Sequence, residues 1–227
     1  MTSGPPGNPM CNIYQFKNRK QASEGFRTKV MEASRGLGSE VTRKTDPGVV
    51  VRAGGEVVVM RWGFRRDFNP AVNNARADKL DGGMWGEAVR HRRCVIPVTA
   101  FWEWGPGAGG RKHAHLIRDA EEDWLWMAGL WEDSADLGPC YSMVTTAASV
   151  AMAGLHDRMP AILRREEANG WLKGTFRPGR PYDGALVLEP CASPLAGGSG
   201  DNPGAGVGIL RDFMLASSCP NRVASRC

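Results

Sequence analysis

The chain lacks the features that would place it in or across a membrane. No apolar run approaches the roughly 18 residues that a membrane-spanning helix requires. The first nine residues, MTSGPPGNP, carry no basic residue and no apolar stretch, so they do not resemble a secretory signal. We therefore expect a cytoplasmic protein with no membrane partner.

The cysteines and histidines are too scattered to predict a metal site or a disulfide framework. The six cysteines are irregularly spaced and form no C-x-x-C pair, and thiols in a cytosolic protein are reduced by default. Cys94 and Cys140 have the apolar, strand-like surroundings of small core residues. His113 and His115 would share one face of a strand, but they lack a third ligand. The sequence therefore predicts no metal and no organic cofactor.

The charge balance permits a nucleic-acid partner without requiring one. The 227 residues carry a net charge of +5 and a sequence pI of about 9.0, and mild basicity is common in proteins that never contact a polyanion. Clustering of the arginines slightly favours a nucleic-acid surface: Arg61, Arg65 and Arg66 form one group, and Arg90, Arg92 and Arg93 form another.

Composition divides the chain into one central domain and two irregular ends. Residues 1–9 are rich in Pro and Gly, and we expect them to be a disordered extension. Residues 10–190 are expected to form a single domain that acts as a monomer. Gly, Ser, Ala and Pro dominate from Pro190 onward, so residues 191–227 are expected to be a flexible tail.

Short strands joined by tight turns dominate the central domain. Because they follow one another without crossover helices, an antiparallel, α+β arrangement is favoured over a doubly wound parallel sheet. Pro97 suggests an edge or a bend within its strand. The expected strands are 49–52 and 56–60, joined as a hairpin through 53–55, then 94–104, 113–117 after a glycine-rich turn at 105–111, 124–131 and 141–146; the expected helices are 21–35, 83–92 and 163–172.

Glu103 is the residue whose local sequence is most informative. It stands in Phe101-Trp102-Glu103-Trp104, where a carboxylate must either point into water or lie desolvated against a partner. Desolvation would raise the pKa of the carboxyl towards neutrality, as general acid–base catalysis requires.

Cys11 follows Met10 and opens the first apolar segment of the chain. A lone cysteine near a chain start is usually an accident or a small buried residue. As the first residue, however, Cys11 would carry a thiol and an α-amine with a pKa of about 7.7–8.0. Such an aminothiol condenses with an aldehyde and closes a thiazolidine ring, since both nucleophiles belong to one residue. An internal Cys11 could act only as an ordinary thiol nucleophile.

Each of the remaining candidates has both a structural and a functional interpretation. His156 follows a strand in the string HDRMP, and it is equally consistent with catalysis and with a structural role. Asn74 and Arg76 are expected on a loop, where a turn asparagine and a solvated arginine are the simpler interpretation. The tryptophans are mostly core candidates, although one or two at a rim could stack on bases.

Taken in order, these strings resemble one family. Met10-Cys11, then Asn74-Ala75-Arg76, then Phe101–Trp104, then HDRMP are similar to the abasic-site processing proteins, also called SOS-response-associated peptidases. The resemblance covers about residues 10–172. It implies a single domain with a curled, barrel-like, mainly antiparallel sheet and flanking helices. It also implies binding to single-stranded DNA that contains abasic sites, and a covalent thiazolidine bond to the ring-opened sugar.

The resemblance also implies roles for individual residues. Cys11 would attack through its amine and thiol, and Asn74 would hold the deoxyribose or the cysteine backbone. Glu103 would shuttle protons during imine formation. His156 would protonate the ring oxygen of the sugar and could assist reversal. Arg76 would contact the phosphate beside the lesion, with Trp62 and Arg158 as further DNA-binding residues.

The chain departs from the family pattern at its start. Nine residues precede Met10, so the amine of Cys11 is held in a peptide bond. Either Met10 is the true initiator, which we favour, or the extension is cleaved. The family's second activity, thiol peptidase, is therefore one alternative, with Cys11 removing the residues ahead of it. A non-catalytic single-strand binding module is another. The segment between Trp62 and Asn74 is also short, which leaves base contacts by that loop open.

Overall fold

A computed structural model describes residues 11–17, 26–106 and 111–195 of the chain. Within these residues the helices are α1 (Phe26–Arg35), α2 (Gly86–His91) and α3 (Arg165–Lys173). The strands are β1 (Ile13–Gln15), β2 (Val41–Arg43), β3 (Pro47–Arg52), β4 (Val57–Trp62), β5 (Phe64–Arg66), β6 (Asn69–Val72), β7 (Asn74–Arg76), β8 (Arg93–Val98), β9 (Ala100–Pro106), β10 (Lys112–Asp119), β11 (Leu125–Ser134), β12 (Gly138–Ala147), β13 (Arg158–Pro160), β14 (Ile162–Leu163) and β15 (Leu186–Cys191).

Five strands close into a barrel. They pair in the order β12, β4, β3, β8, β11 and back to β12. Neighbouring strands are antiparallel except β4 and β12, which run parallel, as do β7 and β12. The α+β, barrel-like, mainly antiparallel architecture expected from the sequence is confirmed.

The barrel wall separates two apolar cores. Val49 and Val51 of β3 pack under the three helices, whereas Val50 packs on the opposite side of the wall. Alternation along a strand explains this division, because successive side chains point to opposite faces. Burial of both faces explains why β3 reads as an uninterrupted valine run rather than an alternating pattern.

A second sheet packs against the core that contains Val50. Its order is β15-β10-β9-β1-β2, and its pairings are antiparallel. Tyr14 of β1, Phe101 of β9 and Ile117 of β10 join Val50 in that core. The second sheet therefore holds the beginning of the described chain against the barrel.

Most expected elements are present, with instructive differences. The hairpin through 53–55, the helices and most of the strands lie where the sequence predicts them, but the expected strand 94–104 is divided at Thr99 into β8 and β9, which belong to different sheets. Pro97 is opposite Trp126 of β11, but β3 pairs with β8 only at Val95 and Cys94, so the proline needs no N–H on its β3 side. Strand β15 was not expected, and its pairing extends to Cys191.

The described part of the chain is one compact unit up to Ser193; of the unit that follows, Pro194 and Leu195 are described. The expected extension 1–9, most of the turn at 105–111 and most of the tail after 191 lie outside the described residues. None of the described helices is long and apolar enough to span a membrane.

Candidate active site

Cys11 lies immediately before β1 in the core shared by the barrel and the second sheet. It is 1% exposed, and its Sγ donates a hydrogen bond to the carbonyl of Ile13 at 3.7 Å. Burial raises the pKa of the Cys11 thiol well above its usual value, and the negative charge of Glu103 adds to the rise. The sulfur is therefore a protonated thiol rather than a thiolate at neutral pH.

Glu103 reaches Cys11 because β9 lies beside β1. Tyr14 is opposite Phe101 in the antiparallel register, which brings the residues before Tyr14 alongside those after Phe101. The backbone N–H of Cys11 donates to Glu103 Oε2 at 3.0 Å, and the N–H of Trp104 donates to Oε1 at 3.1 Å. The carboxylate is thus desolvated, at 2% exposure, against a partner, which is one of the two alternatives that the sequence left open.

Two opposing influences set the pKa of Glu103. Burial is the larger and raises it, whereas the two N–H donors and the charge of a protonated His156 lower it. The net shift is upward. A carboxyl with a raised pKa that touches the nitrogen of Cys11 can both take a proton from that nitrogen and return one.

Two asparagine amides hold the carbonyl of Cys11. Asn73 Nδ2 and Asn74 Nδ2 each lie 3.4 Å from the Cys11 oxygen, and Asn73 Nδ2 also donates to Asn12 Oδ1 at 3.0 Å. Asn74 thus contacts the cysteine backbone, one of the two partners expected for it. The expectation of a loop for Asn74 and Arg76 was wrong, because both lie in β7, which pairs with β12.

Sequence reasoning missed Asn73, although it stands beside Asn74 and is equally polar. Its backbone oxygen accepts from Met143 N and from Trp62 Nε1, at 2.9 and 3.0 Å. Its side chain is 9% exposed. A pair of adjacent asparagines at the start of a strand is the signal that could have identified it, because adjacent side chains point to opposite faces and a strand that packs on a core buries one of those faces.

Trp62 needs a correction, because the structure removes it from the DNA-binding surface. The ring is 0% exposed and packs beside Tyr14 and Tyr141, with ring centroids 5.1 and 6.2 Å away. No base can stack on a buried ring. Trp62 instead supports the site by holding the backbone of Asn73.

His156 is carried by the turn between β12 and β13, which packs against β9. A Cβ at Gly105 would lie 2.2 Å from Leu155 Cδ2 and 3.3 Å from Leu155 Cα, so glycine at 105 permits this approach. Since Gly105 lies two residues beyond Glu103, the contact brings the histidine to the Glu103 side of the site. The imidazole is 7% exposed.

The Nδ1 atom of His156 has two neighbours that require opposite roles. Arg158 N–H donates to it at 3.0 Å, which requires a lone pair on Nδ1. Asp157 Oδ1 lies 2.8 Å from the same atom, which favours a proton there. Nδ1 can therefore satisfy only one of these two contacts at a time, depending on which ring nitrogen carries the proton.

Arg76 and Arg158 are brought together around one carboxylate. Arg76 Nη2 lies 2.7 Å from Asp78 Oδ2, and Arg158 Nη1 lies 3.7 Å from Asp78 Oδ1. The hydrogen bond from Arg76 is the main cause that lowers the pKa of Asp78 to about 2. Arg158 is also fixed through its Nη2, which donates to the Thr145 carbonyl at 2.6 Å. Two of the three expected DNA-binding side chains thus lie beside the same carboxylate, that of Asp78.

The arginine clusters noted in the sequence do not form open basic patches. Arg66 forms a bidentate ion pair with Glu132, in which both hydrogen bonds are 2.7 Å long. Arg65 pairs with Asp136 at 3.6 Å. Arg90 and Arg92 both pair with Glu87. Within the described residues no group of three or more His, Cys, Asp or Glu side chains could hold a metal ion.

Comparison with known proteins identifies similar sequences. Residues 10–193 match the family model described as SOS response associated peptidase (SRAP). The abasic site processing protein HMCES of Gallus gallus is 32% identical over 148 residues, which are 50% of this chain and 44% of that protein. YoqW of Bacillus subtilis (strain 168), also named an abasic site processing protein, is 32% identical over 116 residues, 49% of this chain and 52% of that protein. The chain spans about half the length of the curated relatives it matches.

Solved structures share the fold. A protein from Bacteroides thetaiotaomicron superposes with a TM-score of 0.61 at 22% identity, covering 72% of this chain and 83% of that one. A protein from Bordetella bronchiseptica superposes with a TM-score of 0.62 at 20% identity, covering 81% and 100%. At these identities the likeness concerns architecture alone.

Proposed function

The chain belongs to the SOS response associated peptidase (SRAP) family, and on that basis we propose that it captures abasic sites in single-stranded DNA as a covalent thiazolidine adduct on an N-terminal Cys11. The names of the curated relatives, abasic site processing proteins, support this class of substrate. The observation that carries the proposal is the 3.0 Å contact between the nitrogen of Cys11 and the buried carboxylate of Glu103.

The first step would use the amine of Cys11. With its nitrogen as a free, neutral amine, it attacks the aldehyde carbon of the opened sugar, and a C–N bond forms while the carbonyl electrons move to oxygen. Glu103 relays the two amine protons, one after the other, from the nitrogen to that oxygen: the first transfer gives a carbinolamine, and the second lets the oxygen leave as water and yields an imine. The raised pKa of Glu103 suits both transfers.

The second step would use the thiol. Because the pKa of the buried thiol is raised, sulfur remains protonated until the imine has formed. Sγ then attacks the imine carbon, and the thiol proton passes to the nitrogen. The sum of the two steps is one aldehyde plus one aminothiol giving one thiazolidine and one water. The amides of Asn73 and Asn74, which hold the Cys11 carbonyl, keep both nucleophiles in place.

His156 would open the sugar before either step. It donates a proton to the ring oxygen as the bond between that oxygen and C1 breaks, the anomeric hydroxyl gives its own proton to water, and the chain-form aldehyde results. The two neighbours of Nδ1, Arg158 N–H and Asp157, would hold the imidazole in position for this transfer.

The DNA backbone would bind where Arg76 and Arg158 meet. A phosphate flanking the lesion would displace Asp78 and take its place between the two guanidinium groups. Phe68, which sequence reasoning missed, is 76% exposed on the connection between β5 and β6. An exposed aromatic ring near the strand that leads to Asn74 is suited to stacking on a neighbouring base.

A denaturing gel tests the adduct. A chain that begins at Cys11 is mixed with an oligonucleotide that contains one abasic site, and a slow-migrating species is expected. Cys11→Ala should abolish it, whereas Cys191→Ala, in the half-buried strand β15, should not. Salt-sensitive binding without any stable adduct, equal for intact and abasic strands, would favour a non-catalytic single-strand binding module instead.

A second function, removal of the residues ahead of Cys11, is favoured by the same contact. In the 227-residue chain the Cys11 nitrogen is the leaving group of the Met10–Cys11 peptide bond, and Glu103 lies against it. Sγ would attack the Met10 carbonyl, the C–N bond would break, and the thiol proton would reach the departing amine through Glu103. The amine of Cys11 is then free, and water would hydrolyse the thioester, which releases the leader as a carboxylic acid and restores the thiol of Cys11.

Intact mass distinguishes the two functions. Self-processing predicts that the native 227-residue chain is trimmed to Cys11, while Cys11→Ala and Glu103→Gln chains keep their full length. A native chain that stays at full length after prolonged incubation would reject self-processing and leave the adduct proposal to the chain that starts at Cys11.

We also propose that residues 10–190 carry the function as a cytoplasmic monomer, and that 1–9 and 191–227 are dispensable for it. Since β15 extends to Cys191, the truncation that tests this should end at Ser193, where the family match also ends. The truncated chain should form the adduct at the rate of the longer chain and elute as a monomer.

A further inference from the structure

A groove on the helix-covered face of the barrel lies apart from the Cys11 site. A cavity of about 690 Å³ opens between α1, α3 and the turn joining β3 to β4. Its floor includes Val51 and Val95, which belong to the core beneath the helices. Val50 packs instead into the core that contains Cys11. The barrel wall therefore separates this groove from the site described above.

The floor of the groove is apolar. Val51, Val95 and Ala168 are buried in the core below it, and Leu172 and the half-buried Trp126 form its sides. Concave, mainly apolar cavities of roughly 300–1,000 Å³ are the usual form of sites that bury a ligand group. The floor is thus suited to an aliphatic or aromatic side chain rather than to a polar group.

The rim of the groove is cationic. Arg27, Arg165 and Lys173 line it, and no Asp or Glu does. None of the three forms an ion pair with any residue that the structure describes; the Arg27 guanidinium instead lies 4.9 Å from the ring centroid of Trp124. Because these three cations have no acidic partner among the described residues, the rim is suited to a ligand that carries negative charge.

The groove continues into a second depression of about 490 Å³. The two share Ala53, Leu172 and Lys173. The single carboxylate in the second depression, Glu56, is neutralised by Arg52 at 2.6 Å. Arg90, His91 and Arg93 also line it, and of these Arg90 is paired with Glu87 outside the depression. The combined surface is elongated, which suits an extended chain better than a compact small molecule.

We propose that this groove binds an acidic peptide segment of a partner protein. One apolar side chain of the peptide occupies the first depression, and neighbouring carboxylates pair with Arg27, Arg165 and Lys173. Interfaces between proteins combine a buried apolar anchor with a polar rim in this way. Interfaces with nucleic acid are more polar and more uniformly charged, so the aliphatic floor favours a peptide over a DNA strand.

The basic side chains of the rim should attract the peptide's carboxylates through interactions that remain exposed to solvent. Arg165 and Lys173 are exposed, so each contact with a carboxylate changes the affinity by only about threefold. Binding should weaken as salt rises, because exposed charges are screened. The apolar side chain in the first depression should supply the rest of the binding free energy, which does not depend on salt.

Fluorescence anisotropy with the full chain tests the proposal. The probe is a fluorescein-labelled peptide of sequence DDLDDFDD, compared with NNLNNFNN, which keeps the apolar residues, and with DDSDDSDD, which keeps the charges. The acidic, apolar peptide should bind, and each of the other two should bind at least about tenfold more weakly, which corresponds to about 1.4 kcal/mol. Equal binding of all three would overturn the proposal.

Variants of the chain locate the binding. Arg165→Gln with Lys173→Gln should weaken binding about tenfold, the product of two threefold effects. Asn169→Trp, which places a ring over the apolar floor from an exposed helix position, should weaken it at least as much. Arg35→Gln removes an exposed charge of α1 outside the groove and should leave the affinity within about twofold. An equal loss in the Arg35 variant would show nonspecific attraction and reject the site.

Competition identifies the occupant. An undamaged single-stranded oligonucleotide that displaces the probe at lower concentration than the unlabelled peptide would assign the groove to nucleic acid. A peptide of residues 207–217 that displaces it better than the acidic peptide would assign the groove to the chain's own C-terminal segment. Either result would overturn the proposal. The groove variants should retain the DNA adduct in full, so failure of this proposal and failure of the adduct chemistry are distinguishable.

Discussion

Replacement of Glu103 by glutamine separates the contribution of proton transfer from that of side-chain size and shape. The amide oxygen of glutamine can still accept the hydrogen bond that Cys11 N–H now makes at 3.0 Å, so the residue keeps its position. It cannot carry a proton, and the loss of a positioned acid–base group typically slows a reaction about 10²–10⁴-fold. We expect the initial rate of adduct formation to fall by about 10²–10³.

The effect on stability should be much smaller than the effect on rate. The carboxylate accepts two backbone N–H bonds, from Cys11 and Trp104, and glutamine can accept with its single oxygen only, so one buried donor loses its partner at a cost of about 1–3 kcal/mol. Removal of a buried charge offsets part of that cost. Urea unfolding should therefore remain cooperative, with the free energy of unfolding lowered by no more than about 2 kcal/mol.

The assay is a single-turnover time course on a denaturing gel, with a chain that begins at Cys11. Glu103→Asp is the matched control, since it keeps the ionisable group but withdraws it by about 1.5 Å from the nitrogen; its rate should lie between those of the native chain and the glutamine variant. Binding to an uncleavable abasic analogue should be unchanged in all three. A glutamine variant that reacts within about threefold of the native rate would refute Glu103 as the proton carrier.

Three further perturbations follow from the same contacts. Gly48→Ala should destabilise the fold by about 2 kcal/mol or more, because the new Cβ would lie 2.2 Å from the hydroxyls of both Tyr14 and Tyr141; Gly82→Ala, with nothing within 4 Å, is the control in a thermal unfolding assay. Asp78→Asn should tighten binding of single-stranded DNA about two- to threefold by releasing the two arginines, as measured by filter binding at low salt; weaker binding would contradict the displacement model. The raised pKa of Glu103 means that the folded state holds its proton more tightly than the unfolded chain, so this group's contribution to stability is present below the usual carboxyl pKa and is lost as pH rises through the raised value. Denaturant titrations between about pH 4 and pH 8 should show that decline in the native chain and its absence in the glutamine variant.

Local patterns predicted much of the fold. The glycine turn at 53–55 between two valine-rich runs specified the hairpin of β3 and β4, because turn chemistry and β-branched residues act over a few residues. The helix candidate ahead of Gly174 was found from its composition for the same reason. By contrast, closure of the barrel depends on β12 pairing with both β4 and β11, and nothing in the local sequence of β12 identifies two partners.

In the candidate site, too, some features could be predicted from the local sequence and others could not. Glu103 could be singled out from its tryptophan neighbours, since a carboxylate in apolar sequence is unusual wherever the chain folds. The assignment of Trp62 to a DNA surface was wrong, because whether a tryptophan lies in a core or at a rim depends on what packs over it. Asn73 was missed because its role, holding Cys11 and Asn12, involves residues about 60 positions away.

The sequence by itself determined the residue types, their order along the chain and the resemblance to a family, since none of these depends on how the chain folds. Only the tertiary structure decided that the nitrogen of Cys11 touches Glu103, that the turn bearing His156 packs on Gly105, and that Arg76 and Arg158 share one carboxylate. Each of these contacts joins strands that are distant in sequence. The physical reason is that strand pairing brings such residues within hydrogen-bonding distance only once the whole sheet has formed.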